Sequence, residues 1–109
     1  MKCEVNGNVL KLNGREIEFP YEIRKIAEFD GIIMLLLMQN EIPYNNIVAL
    51  DANGDVLWHI ADVIQLEVDE AYAGLWRKNE RYVWVRSYSG VETTFDVYTK
   101  EIIDQEVRR

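Results

Sequence analysis

The sequence predicts an all-β protein, an antiparallel meander forming a twisted sheet, sandwich or partly open barrel. Three observations carry this: turn signals recur at strand-length intervals, the segments between them alternate with period two, and one short run is apolar throughout. The turn signals are Asn6-Gly7, Asn13-Gly14, Pro20, Asp30-Gly31, Asn40 to Asn46, Asn53-Gly54, Asn79-Glu80 and Ser89-Gly90. Asn-Gly and Asp-Gly suit tight hairpin turns, whose central residues need positive φ. These divisions give strands at 2–5, 8–12, 15–19, 21–29, 32–39, 46–51, 55–60, 71–78, 81–88, 91–97 and 100–107.

Taken in order, the first three strands are short. In the third, Glu16 and Glu18 alternate with Ile17 and Phe19, one face wet and one buried. Tyr21 to Phe29 alternates until Lys25 and Ile26, where the phase slips by one, the mark of a β-bulge. Ile32 to Met38 does not alternate at all, which for a strand means cover on both faces, so it belongs at the centre. Val56, Trp58 and Ile60 share a phase, which puts Trp58 in the core and His59 on the wetter side.

Segment 61–70 reads two ways. Ile64, Val68, Ala71, Tyr72 and Leu75 recur at helical intervals, and Asp62 with Gln65 would form a capping box. Against a helix, Val63, Ile64 and Val68 are β-branched, and Ile64, Leu66 and Val68 also alternate. The segment is taken as a loop or irregular strand, with at most one short helix near 62–73. In 81–88, Tyr82, Trp84, Arg86 and Tyr88 line one face and Val83 and Val85 the other. That stripe reads as the second side of a sandwich or, failing that, as an exposed patch that marks a partner. Val91, Thr93, Phe95 and Val97 then alternate with Glu92, Thr94 and Asp96.

A chain of 109 residues has room for one domain over 1–109 and one core. At 49% hydrophobic and 28% charged it lies well away from disordered compositions. Nineteen acidic residues against 12 basic ones give a net charge of −7, a field that repels phosphate backbones and anionic membranes. No nucleic acid and no membrane are expected as partners. The apolar run Ile32 to Met38 is far shorter than the roughly 20 residues of a membrane helix and shorter than the roughly 9–11 of a barrel strand. The N-terminus has no secretory pattern, and the single Cys3 cannot form an internal disulfide. Both fit a cytoplasmic protein.

No residue pattern carries catalysis. His59 is the lone histidine, Cys3 has no base placed beside it, and the glycines are scattered turn residues rather than a phosphate-binding loop. Glu16 with Glu18, and Asp69 with Glu70, lack the separate elements that flank an acid–base cleft. No enzyme, catalytic residue, metal or cofactor is expected. What stands out is the segment between His59 and Arg77, with Asp62, Glu67, Asp69 and Glu70, no base, and the aromatics Tyr72 and Trp76. Carboxylates steer a basic partner into encounter, and buried Tyr or Trp rings anchor it. These six are the candidate partner-binding residues, and a solvated acidic loop is the plainer alternative.

The string Ile47-Val48-Ala49-Leu50-Asp51-Ala52-Asn53-Gly54-Asp55-Val56-Leu57-Trp58 resembles the strand, turn, strand, Trp unit of quinoprotein-type propeller blades. Phe95 to Asp104 is similar to a degraded second copy, with Asp96 answering Asp51, Lys100 where blades carry Gly, and Asp104 where they carry Trp. The chain holds too few units of about 40–45 residues to close a propeller, so the strings imply hairpins of one sheet or sandwich. Over nearly its whole length the chain also resembles small, acidic, all-β bacterial proteins, some of them immunity proteins of polymorphic or contact-dependent toxin systems. That likeness rests on Glu18-Phe19-Pro20-Tyr21-Glu22-Ile23, on Asn46 through Trp58, on Tyr72-Ala73-Gly74 and on Ser89-Gly90-Val91-Glu92. It implies a scaffold more firmly than an activity; the leading reading is a non-enzymatic protein that neutralises a cognate toxin by direct binding and occlusion, and a toxin that is a nuclease would offer it a basic site. The other reading is a structural or self-associating β-domain, a homodimer formed through a sheet edge or the Tyr82, Trp84, Tyr88 face.

Overall fold

The turn residues divide the chain into eleven strands, seen in a computed structural model that describes residues 3–38 and 43–108. Strands β1 (Cys3–Asn6), β2 (Val9–Leu12) and β3 (Arg15–Glu18) form a first sheet in that order. A second contains β4 (Ile23–Phe29), β5 (Ile32–Leu37), β6 (Ile47–Asp51) and β7 (Val56–His59), again in sequence order. The third contains β8 (Tyr72–Arg77), β9 (Tyr82–Ser87), β10 (Val91–Asp96) and β11 (Ile102–Val107). All paired neighbours are antiparallel. The protein is therefore all-β, and the meander is cut into three successive sheets, none of which closes into a barrel.

The second sheet lies between the other two. All six residues of β5 are buried, and they divide by parity. Ile33, Leu35 and Leu37 pack with Leu10 and Leu12 of the first sheet, while Ile32, Met34 and Leu36 pack with Val83, Val85 and Phe95 of the third. In β6, Val48 and Leu50 join the first core, and Ile47 and Ala49 the second. The absence of alternation thus has the cause expected of it over Ile32 to Leu37, while Met38, the last residue of the apolar run, lies past the strand and is exposed.

Bulges decide which face several side chains reach. The register of β4 against β5 shifts between Ile23 and Lys25, one or two residues before the slip read from the sequence. The shift sends Ile23 into the first core and Ala27 and Phe29 into the second, although all three have the same parity. A second bulge, between Ala49 and Leu50, pairs Trp58 with Ala49 but Val56 with Leu50. Val56 therefore does not share the face of Trp58; it is exposed, whereas Trp58 is buried edge-on to Phe95, their centroids 5.7 Å apart.

The two blade-like strings are the β6–β7 and β10–β11 hairpins. Asp51 Oδ1 accepts the N–H groups of Asn53 (2.8 Å) and Asp55 (3.0 Å). Asp96 Oδ1 accepts those of Tyr98 (2.8 Å) and Thr99 (3.2 Å). The left-handed residue is Gly54 in the first turn and Lys100, at φ 65°, in the second. At the far end of β10, Gly90 accepts from Arg108 N at 2.8 Å, and a Cβ on Gly90 would overlap the Arg108 carbonyl. Only glycine lets the end of β11 lie that close.

Candidate functional site

The outer face of the third sheet is built by β8 and β9. The β9 alternation sends Val83, Val85 and Ser87 inward and Tyr82, Trp84, Arg86 and Tyr88 outward. The aromatic stripe is thus not the inner side of a sandwich, because Val83 and Val85 already fill that side against the second sheet. It faces away from both cores. Across the strand, Trp76 stands directly opposite Trp84, and Gly74 opposite Arg86. The Trp84 ring leans over Gly74, where a Cβ would come within 3.0 Å of it. On the other side Trp84 Nε1 donates to Glu92 Oε1 at 3.3 Å, and Glu92 also faces Arg86 (3.9 Å) and Arg108 (3.6 Å). Trp84 is held; Trp76 is not, and it stands 68% exposed. Tyr88 is 64% exposed at the end of the stripe nearest the acidic loop.

The six residues expected to meet a partner fall into different environments. Asp62 serves the backbone, its Oδ2 accepting His59 N at 2.9 Å to start a 3-10 turn over Ile60–Asp62. The capping pair is therefore His59 with Asp62 rather than Asp62 with Gln65. Beyond that turn the chain runs irregularly to β8, as the loop reading of 61–70 anticipates. Glu67 and Asp69 are exposed and make no hydrogen bond or ion pair among the described residues. Glu70 Oε1 accepts from Ser89 N (2.9 Å) and Ser89 Oγ (2.7 Å), which binds the loop to the β9–β10 turn. Trp76 lies on the sheet face rather than in the loop.

Tyr72 corrects the expectation outright. It is 3% exposed and packs in the second core, because the β8 bulge between Tyr72 and Gly74 turns it inward. It cannot be a surface anchor. Asn46, also buried, fixes it in place. The Asn46 amide donates to the carbonyls of Leu37 and Tyr72, both at 3.0 Å, and accepts Tyr72 N at 2.9 Å. Among the described residues the Tyr72 hydroxyl is the one buried side-chain polar atom with no hydrogen-bond partner. Burial, and then the charge of Glu70, push its pKa well up, so it stays protonated at neutral pH. Sequence reasoning missed Asn46, Gly74 and Glu92; each acts through a cross-strand or cross-sheet neighbour that no local pattern reveals.

A model of one protein family, DUF7957, a domain of unknown function, matches residues 1–107. The chain belongs to that family. Comparison with curated proteins gives no match. In this DUF7957 domain Cys3 is partly buried and donates to the Glu28 carboxylate, and its pKa is pushed up to about 12, by burial first and then by Glu28. A thiol in that state is a poor nucleophile. Among the described residues no three His, Cys, Asp or Glu side chains converge as metal ligands would, and no helix is long and apolar enough to cross a membrane.

Proposed function

We propose that this domain is a non-enzymatic binding module that docks a second protein on the outer face of its third sheet. The observation that carries the reading is Trp76, standing 68% exposed opposite Trp84 in a row with Arg86 and Tyr88. Trp, Tyr and Arg are the residues that dominate binding energy at interfaces, and a large apolar ring left in water gains most when a partner covers it. Glu67 and Asp69 lie in the loop beyond the Tyr88 end of the stripe. On a chain of net charge −7 they favour a partner with a basic surface, which their field would draw into encounter.

The narrower form of the proposal follows the likeness to toxin-immunity proteins. There the partner is a toxin domain with a basic active surface, and the domain, acting in the cytoplasm, masks it one to one. The product of a neighbouring reading frame with a toxic C-terminal region is the partner to test. Binding measured by surface plasmon resonance should weaken about 30-fold or more for Trp76→Ala, the 2 kcal/mol expected of a hot spot. Replacing Glu67 and Asp69 by Gln and Asn should slow association and flatten its salt dependence. A Trp76→Ala protein that binds as the parent does would remove this face from the interface.

A second reading, self-association, draws on β11, an edge strand whose six residues are all exposed. Light scattering separates the two. A dimer lost on Trp76→Ala or on placing Pro in β11 would favour it, and a monomer would favour a foreign partner.

A further inference from the structure

Behind the 63–70 loop lies a cleft distinct from the aromatic face. Tyr44, Gln65, Asp69, Glu70 and Tyr72 contribute to its walls, with Ile64 among the apolar ones, around a space of about 240 Å³. Two features mark it independently. Asp69 at the cleft is exposed and has no ion-pair partner among the described residues. Tyr72 is buried, and its hydroxyl has no hydrogen-bond partner among the described residues. Leaving such a group unpaired costs about 1–3 kcal/mol, so an unpaired hydroxyl on a residue that lines a cleft marks where a ligand atom completes the pairing.

Every polar side chain around the cleft can accept a hydrogen bond, and the charged ones are all negative. The two carboxylates only accept hydrogen bonds, and the Gln65 carbonyl and the Tyr72 oxygen can accept as well. A matching ligand is rich in donors, positively charged and flat enough to reach several acceptors at once. A guanidinium meets that description better than an ammonium, which is a compact point charge, and it also stacks on an aromatic ring such as that of Tyr44. We propose that this cleft receives an arginine side chain of the docked protein, its guanidinium against Asp69 and Glu70 and toward the Tyr72 oxygen, its stem along Ile64. The inference rests on the docking reading for the source of the arginine, while the cleft itself is tested without any partner.

The probe is N-acetyl-arginine amide, titrated into the whole domain and followed through backbone amide resonances. Saturable shifts confined to 61–72 and to Tyr44 are expected, with a Kd of about 1–10 mM for one side chain. Asp69→Asn and Tyr72→Phe should each weaken binding about fivefold or more, near 1 kcal/mol per charge-assisted or hydroxyl contact. Tyr72→Phe removes only the unpaired hydroxyl, so the variant should melt no lower than the parent. Trp76→Ala should leave the titration unchanged even as it weakens docking, which separates failure of the cleft from failure of the aromatic face. No saturable shift, or equal binding of the uncharged N-acetyl-citrulline amide, overturns the site. Equal binding of N-acetyl-lysine amide overturns the guanidinium assignment, and tighter binding of free arginine overturns the protein source.

Discussion

At position 96 one carboxylate joins three parts of the third sheet. Besides the two turn N–H groups it accepts on Oδ1, Asp96 takes the Arg81 guanidinium on Oδ2, with Nε and one terminal nitrogen both at 2.9 Å. The same guanidinium lies over the Tyr98 ring, 5.3 Å from its centroid. Burial pushes the Asp96 carboxyl up, but Arg81 and the N–H groups of Tyr98 and Thr99 outweigh it and hold the group below its ordinary value. The folded pKa is thus depressed, so as pH falls the unfolded chain takes up the proton first. The stabilisation is fully present above the ordinary carboxylate range and is lost as pH falls through the folded value. Asp96→Asn should therefore lower the urea midpoint clearly at about pH 7 and less at about pH 3, below the ordinary carboxylate range, where the unfolded chain has taken up the proton. An equal loss at both would mean that the charge of Asp96 contributes nothing. In the sequence a blade-like string sets Asp96 where Asp51 stands in the first hairpin, and nothing in that string points to Arg81. Burial of Tyr72 was not legible there, because it depends on a bulge.

Among the elements, the strands were read almost completely, and the faces less well. Hairpins declare themselves through local turn chemistry, so each strand could be bounded from a few neighbouring residues. Faces depend on register, and one extra residue in β4, β7 or β8 reverses them. The slip at Lys25 and Ile26 disclosed the first of these bulges because charged residues interrupt an apolar phase there. Nothing comparable marks Ala73, so Tyr72 and Trp76 were grouped as one anchor when they occupy opposite faces. Asn46 was equally silent, one polar residue in a turn rich in asparagine. Its three hydrogen bonds join the end of β5 to the start of β8, and so clasp the second sheet to the third. Asn46→Ala leaves those buried backbone groups without partners and should cost about 3 kcal/mol. The neighbouring Asn45 accepts Ala61 N, at 2.9 Å, in a part-buried rather than buried place, and Asn45→Ala should cost about 1 kcal/mol. Urea unfolding of both variants checks the order, and equal losses would show that Asn46 is not the clasp.

For the molecule as a whole, the layering follows from one strand. A chain this short would ordinarily bury a single core, and the length of 109 residues suggested one. The middle sheet instead serves two cores, which is possible because β5 and β6 present apolar side chains of both parities. Sequence pattern showed that Ile32 to Leu37 is covered on both sides, yet it contained no information on what covers each side, since that is set by which sheet folds over which. The division makes a prediction specific to neighbouring residues. Met34→Ala and Leu35→Ala each empty a fully buried site and should each cost about 2–5 kcal/mol. Their consequences should nevertheless lie on opposite sides of the sheet. Met34 shares its cluster with Trp58 and Phe95, whereas Leu35 shares one with Leu10 and Leu12. The Trp58 indole N–H resonance should therefore shift in Met34→Ala and stay in place in Leu35→Ala, with the methyl resonances of Leu10 and Leu12 behaving the other way round. Should both substitutions disturb both sets alike, the two cores would be one cooperative interior, and the third sheet would not present its aromatic face independently of how the first sheet is packed.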